Sequence, residues 1–203
     1  MSTKRKQLRL RAAVFVCCSA VLVGVDQITK FLAQTHLSAT TSKPLIPGFV
    51  SLRLLYNPGA TLGMGSTVPW LVALVELSVC VAFMVLAALT TSWWWTFAFA
   101  FAFSGALGNL IDRIVYAHGF LNGVVVDFLN YGWSVGNVAD VELTVAAVLI
   151  VLGVLFSMPF FVKGEVRRDK GSSRSRRLGR RALRPSRGKD AGHLAHQSRR
   201  THR

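Results

Sequence analysis

Acidic residues are scarce in this 203-residue chain: nine Asp and Glu stand against 24 Lys and Arg, and charged residues of every kind make up only 16%. Cysteine is scarcer still. Cys17, Cys18 and Cys80 all fall inside apolar stretches, with no CxxC and no His at metal-ligand spacing, so neither a disulfide framework nor a zinc site is expected. The chain also lacks G-x-S-x-G, Walker A, G-x-G-x-x-G and HExxH, and its five His lie in connections or near the C-terminus. Serine-hydrolase, nucleotide and zinc-peptidase chemistries therefore have no motif here, and no metal or other cofactor is expected.

What the chain has instead is apolar surface. Hydrophobic residues make up 52% and the mean hydropathy is +0.43, far more than one soluble domain buries, which points to an integral membrane protein. The net charge of +15 would suggest nucleic acid if it covered one folded face. It sits at the two ends: Lys4, Arg5, Lys6, Arg9 and Arg11 precede the first apolar run, and fifteen Lys or Arg follow Val162. That is a topology and lipid-headgroup signal, so the expected contact is membrane lipid and not nucleic acid. The basic N-terminus running into Ala12 to Val25 imitates a secretory signal, but Asp26-Gln27-Ile28-Thr29-Lys30 follows where a small-residue cleavage site would stand. An uncleaved first membrane helix is expected.

Four segments are long enough at ~1.5 Å per residue to cross a ~30 Å hydrocarbon layer: about 12 to 33, 69 to 89, 93 to 111 and 138 to 162. Four spans return both termini to one side, and the terminal charge makes that side the cytoplasm. Thr90-Thr91-Ser92 is then a tight cytoplasmic turn, and the longer connections 34 to 68 and 112 to 137 face outward. Within them, 49 to 54 alternates as a strand does, and 124 to 128 is a second strand-like run between glycines, so a small extracytoplasmic sheet is expected on the helix ends. The expected fold is all-α, four membrane helices with that sheet. Three parts are expected: a basic cytoplasmic stretch over 1 to 11, a membrane domain over 12 to 162, and a disordered Arg-rich cytoplasmic tail over 163 to 203.

Against this background the placement of the acids is informative. Asp26, Glu76, Asp112, Asp127, Asp140 and Glu142, six of the nine, lie between the two basic ends. An acid at a membrane-helix centre costs about 2.5 to 3.5 kcal/mol on insertion scales, so such acids point to function. Asn137-Val138-Ala139-Asp140 has the spacing of a capping box, which by itself accounts for a carboxylate at the start of a helix. Asp127 shifts that balance, because only nine residues separate it from Asn137 and both are expected at the same membrane surface. Two carboxylates within ~4 Å repel by about 4 kcal/mol at an effective dielectric near 20, so one keeps its proton while the other ionises. Such a pair acts on a peptide bond as base toward water and acid toward the carbonyl and the leaving amine.

The other polar residues are less telling one by one. Asp112 and Arg113 are sequence neighbours and point to different sides of a helix, so each needs a partner from elsewhere. Asp26 and Lys30 stand at i, i+4 and satisfy one another locally. Gly105-Ala106-Leu107-Gly108 permits close helix packing, and Asn57-Pro58-Gly59 reads as a turn. Glu76 and Glu142 have no partner visible in sequence.

Taken in order, Asp26-Gln27-x-x-Lys30, Asn57-x-Gly59-Ala60, Gly105-Ala106-x-Gly108-Asn109-x-x-Asp112-Arg113, Val125-Val126-Asp127-Phe128 and Asn137-x-Ala139-Asp140 resemble the motif set of bacterial lipoprotein signal peptidase, signal peptidase II. The resemblance covers about residues 12 to 162. It implies a membrane aspartyl endopeptidase that removes signal peptides N-terminal to a lipobox Cys already bearing a diacylglyceryl group. It implies Asp127 and Asp140 as the catalytic dyad, with Asn57, Gly59, Gly108, Asn109, Arg113 and Asn137 binding substrate or bracing the site. Asp26, Lys30 and Asp112 are implied as support. The partners implied are prolipoproteins, acted on by a monomer with its site near the outer face of the cell membrane. Ser104 stands where that family usually has glycine, Thr61-Leu62 replaces Ala-Phe, and Gly136 and Val141 replace a Phe and a Ser. These departures bear on the pocket's shape, because every polar motif residue is kept. The rival class, a small proton- or ion-coupled transporter, predicts midplane acids and internal repeats, and the chain shows no repeat.

Overall fold

The computed structural model of the protein describes residues 3–59 and 64–162. The segment 163–203, read above as a disordered tail, lies outside the described residues. In chain order the elements are α1 (Thr3–His36), β1 (Lys43–Ile46), β2 (Val50–Asn57), α2 (Pro69–Leu89), α3 (Trp93–Val115), β3 (Val125–Asn130), β4 (Val135–Gly136) and α4 (Val138–Leu155). All four helices are long and apolar enough to span a membrane, as expected.

The bundle is organised around α3. Its hydropathy is the lowest of the four, 1.3 against 2.0 to 2.6, yet 67% of its apolar window is buried against 11 to 22% for the others. The two facts have one cause. Ser104, Asn109, Asp112 and Arg113 lower its hydropathy, and hydrocarbon would leave them unsatisfied, so α3 takes the interior position against α1, α2 and α4. Small residues let the neighbours approach. A Cβ on Gly105 would stand 2.5 Å from the Ala139 carbonyl oxygen, and one on Gly108 would stand 2.5 Å from Asp26 Oδ2.

Three helix boundaries differ from expectation. α1 runs from Thr3 to His36, not 12 to 33, because Lys and Arg are good helix formers and no breaker interrupts them. α3 continues past 111 to Val115 and so carries Asp112 and Arg113 within it, with Arg113 complementing its C-terminal dipole. α4 stops at Leu155 instead of 162, because Ser157 takes a positive φ of 50° and the Met158 N–H turns back to the Gly153 carbonyl. The Phe160 carbonyl then accepts from the Thr91 N–H and the Thr90 hydroxyl, fastening this end to the α2–α3 turn.

At the opposite end, where α1 and α3 finish and α2 and α4 begin, the strands form one antiparallel sheet in the order β1-β2-β3-β4. The two expected strands lengthen to Val50–Asn57 and Val125–Asn130, which places Asp127 within its strand and not at its end. Strand β1 escaped sequence reading because Pro44 and Pro47 mark it as a turn region, but proline is tolerated on an edge strand. One sheet face is seated on α1: Leu54, Val126 and Phe128 pack with Ala33. Because side chains alternate, Asp127 points to the other face.

Candidate active site

Cross-strand pairing sets the first half of the site. Leu55 lies opposite Asp127 and Asn57 opposite Val125, which makes Asn57 the diagonal neighbour of Asp127 on the same sheet face. Its amide Nδ2 donates to Asp127 Oδ2 at 2.9 Å. The helix cap sets the second half. Asn137 is the N-cap of α4, its Oδ1 accepting from the Asp140 N–H at 3.0 Å while Asp140 Oδ2 accepts from the Asn137 N–H at 3.2 Å. The capping box read from the sequence is therefore present, and it fixes where the Asp140 carboxylate stands.

The same Asn137 joins the two carboxylates. Its Nδ2 donates to Asp127 Oδ1 at 2.7 Å and to Asn109 Oδ1 at 3.1 Å, and Asn109 Nδ2 donates to Asp140 Oδ1 at 3.2 Å. Two amides thus link Asp127 and Asp140, with Asn137 fully buried and Asp127 only 2% exposed. Burial, which penalises the charged form, raises the Asp127 pKa to about 7, and the Asp140 charge adds to that rise. The amide bonds from Asn57 and Asn137 and the charge of Lys30 pull the other way.

Beneath this pair lies a buried ionic cluster. Lys30 Nζ is 2.9 Å from Asp26 Oδ2, 3.0 Å from Asp112 Oδ2 and 3.0 Å from Asn109 Oδ1. Asp26 Oδ1 accepts from the Ala139 N–H at 2.9 Å, and Asp112 Oδ2 from the Val126 N–H at 3.0 Å, so the cluster holds both the start of α4 and strand β3. Gly108 belongs here because its missing Cβ makes room for the Asp26 carboxylate. The local Asp26–Lys30 pair was legible from spacing; that Lys30 also serves Asp112 was not.

Two residues to which sequence assigned no site role, Gln27 of the first motif and Glu76, complete the site. Gln27 Nε2 donates to Asp112 Oδ1 at 3.0 Å and to the Gly108 carbonyl at 3.1 Å, on the face it shares with Asp26 and Lys30. Glu76 is the partner of Arg113, whose Nε is 3.0 and 3.1 Å from its two oxygens. A signal existed, since Arg113 was a cation in a membrane helix with no adjacent acid in register. Glu142, two residues past Asp140, is buried (3% exposed) and points away from the dyad. A groove of about 370 Å³, lined in part by Arg53, Leu55, Asn57 and Trp133, opens on the sheet beside Asn57.

The family model described as signal peptidase (SPase) II matches residues 18–156, which spans every residue of the site. The chain belongs to the signal peptidase II family. It is 52% identical over 163 residues to a protein named lipoprotein signal peptidase from Bifidobacterium adolescentis, covering 80% of this chain and 87% of that one. It is 38% identical over 149 residues to a protein of the same name from Rhodococcus jostii, covering 73% and 75%. A solved structure described as a bacterial membrane enzyme superposes with a TM-score of 0.64 at 26% identity, over 76% of this chain and 95% of that one. Membership of this family makes the chain a peptidase, and with four spanning helices it is a multi-pass bacterial membrane protein.

Proposed function

We propose that the chain is a membrane aspartyl endopeptidase that cleaves the signal peptide from diacylglyceryl-modified prolipoproteins, N-terminal to the lipobox Cys. The observation that carries this reading is the pair of carboxylates, Asp127 and Asp140, linked through the amides of Asn137 and Asn109 at one end of the bundle. The relatives named lipoprotein signal peptidase supply the substrate class.

Asp127, with a pKa near 7, is the partner that holds the shared proton at neutrality. Its O–H donates to the scissile carbonyl oxygen, while Asp140 takes a proton from the attacking water as oxygen bonds to carbon. Collapse of the tetrahedral intermediate breaks the C–N bond. Asp140 then passes its proton to the amine, and the carbonyl reforms as Asp127 recovers the other. Asn57 and Asn137 hold Asp127, and Asn109 and the cap hold Asp140, so neither carboxylate needs to reorient. The groove beside Asn57 gives an extended peptide a place along the sheet. The test is direct: purified full-length protein is incubated with a diacylglyceryl-modified lipopeptide and with its unmodified twin. Release of signal peptide from the modified one alone is expected, and no release sinks the reading.

A pH dependence follows. Activity needs the proton on Asp127, so kcat/KM falls as pH rises through about 7, the midpoint belonging to the pair as a whole. Asn57 stabilises the ionised form. Asn57→Ala therefore raises the Asp127 pKa further, and the alkaline limb moves to higher pH. A limb that stays put or moves down contradicts the assignment of the proton to Asp127.

Orientation follows from charge. Residues 1–11 and 163–203 are proposed to be cytoplasmic and the sheet end of the bundle outside, because Lys and Arg flank the other ends. Single cysteines at Thr40, Gly119 and Ser186, in a chain with Cys17, Cys18 and Cys80 changed to Ser, are probed with an impermeant thiol reagent on intact cells. The first two label and the third does not; strong labelling at 186 overturns the topology.

A further inference from the structure

Glu76 lies in α2, its hydrogen bonds among the described residues go to Arg113 and not to Asp127, Asp140 or their amides, and the peptidase reaction gives it no task. Its position relative to Arg113 gives it one. Arg113 is only 1% exposed, and its Nε is 3.0 and 3.1 Å from the two Glu76 oxygens. The remaining nitrogens go to main-chain carbonyls: Nη1 to Pro58 at 3.2 Å and Gly123 at 3.3 Å, and Nη2 to Gly59 at 2.6 Å. Pro58 and Gly59 directly follow Asn57 at the end of β2, and Gly123 stands just before β3. One guanidinium thus ties together the ends of the two strands that carry Asn57 and Asp127.

The tie reaches the dyad by two short steps. The Gly59 N–H donates to Asn57 Oδ1 at 3.0 Å, and this orients the amide so that Nδ2 meets Asp127 Oδ2 at 2.9 Å. A guanidinium is planar and presents its donors as a rigid fork, so a rotation of the plane shifts all three carbonyl contacts together. Glu76 opposes that rotation by engaging Nε on the stem side, and its charge balances a cation that would otherwise be buried unpaired. Sequence offered no such link, because 37 residues separate Glu76 from Arg113 and 70 separate Asn57 from Asp127.

We propose that Glu76 is a positioning residue for the peptidase reaction, holding the Arg113 guanidinium, through it the Pro58-Gly59 turn, and so the Asn57 amide on Asp127. The proposal rests on Asp127 being half of the catalytic dyad. The test compares kcat and KM of purified, full-length Glu76→Gln, Glu76→Asp, Asn57→Ala and Glu76→Gln/Asn57→Ala on a diacylglyceryl-modified lipopeptide. Detergent-solubilised thermal unfolding reports which variants are folded. Glu76→Gln lowers kcat about ten-fold with KM within about three-fold, Glu76→Asp recovers part of the loss, and adding Glu76→Gln to Asn57→Ala costs less than about two-fold more. A general loss of structure gives neither that non-additivity nor rescue by the shorter acid. Where Glu76→Gln does not fold, Glu76→Asp replaces it in the double variant and is judged by the same non-additivity. The proposal is overturned by a folded Glu76 variant with kcat within about two-fold of wild type, by an Asn57→Ala enzyme at wild-type kcat, or by losses that multiply in full. Asp127→Asn separates the two levels: an active Asp127→Asn enzyme sinks the dyad, whereas an inactive one beside a neutral Glu76→Gln sinks only the role of Glu76.

Discussion

Asp127→Asn and Asp140→Asn each lower kcat by about 10² or more while the protein still inserts in the membrane, because general acid–base steps of this kind contribute ~10² to 10⁴. An amide preserves the size of the carboxyl group but neither accepts the water's proton nor carries the one shared by the pair. At 127 the substitution has a second consequence. Asp127 accepts from Asn137 Nδ2 at 2.7 Å and from Asn57 Nδ2 at 2.9 Å, and an asparagine there answers only one of these donors with an oxygen. At 140 the cap from the Asn137 side chain to the Asp140 N–H remains, so α4 still starts where it does. Insertion depends on the apolar spans; Asp127 lies outside them, and at the start of α4 an uncharged asparagine is no less compatible with the membrane than Asp140. Turnover of a lipopeptide, set beside the amount of protein in washed membranes, decides the matter. A variant that keeps more than about a tenth of the wild-type rate removes its residue from the dyad.

Lys30→Met produces the largest loss of stability among single substitutions in the polar cluster. Asp26 is fully buried and Asp112 is 2% exposed, and Lys30 Nζ stands 2.9 and 3.0 Å from their carboxylates. Removing the cation leaves two buried like charges facing one another. Breaking a buried ion pair by deleting one partner costs about 3 to 5 kcal/mol, far more than an exposed pair is worth. Both acids also hold main-chain N–H groups, Asp26 that of Ala139 and Asp112 that of Val126. The damage therefore reaches the first turn of α4 and strand β3, where the two dyad residues stand. Thermal unfolding in detergent shows the loss, and adding Asp26→Asn and Asp112→Asn to Lys30→Met recovers part of it, because amide oxygens still accept those N–H groups and no charge remains unpaired. A Lys30→Met protein as stable as wild type, or a triple variant less stable than the single one, contradicts this account.

Some features follow from the sequence alone because they depend on local geometry. A run of apolar residues has to be about 20 long to cross hydrocarbon, which located the four spans before any packing was known. The helical repeat brings i and i+4 together, which paired Asp26 with Lys30, and a cap reaches three residues forward, which joined Asn137 to Asp140. Alternation along residues 49 to 54 announced a strand, and the polar motifs in their order announced the family. Other features were settled only by tertiary structure. The partner of Arg113 depends on α2 packing against α3, a contact that no periodicity encodes. Asn57 reaches Asp127 because β2 and β3 pair in one register, which includes an irregularity between Leu52 and Leu55, and a slip of one residue would turn Asn57 to the other face. The interior position of α3 accords with its low hydropathy, but which neighbours surround it is not written in the sequence. That position is decided by polar side chains that find hydrogen bonds only among other helices, since lipid offers them none. That Asp127 and Asp140 are joined through the amides of Asn137 and Asn109 was likewise not legible in the sequence, because those bridges exist only once α3, α4 and the sheet meet.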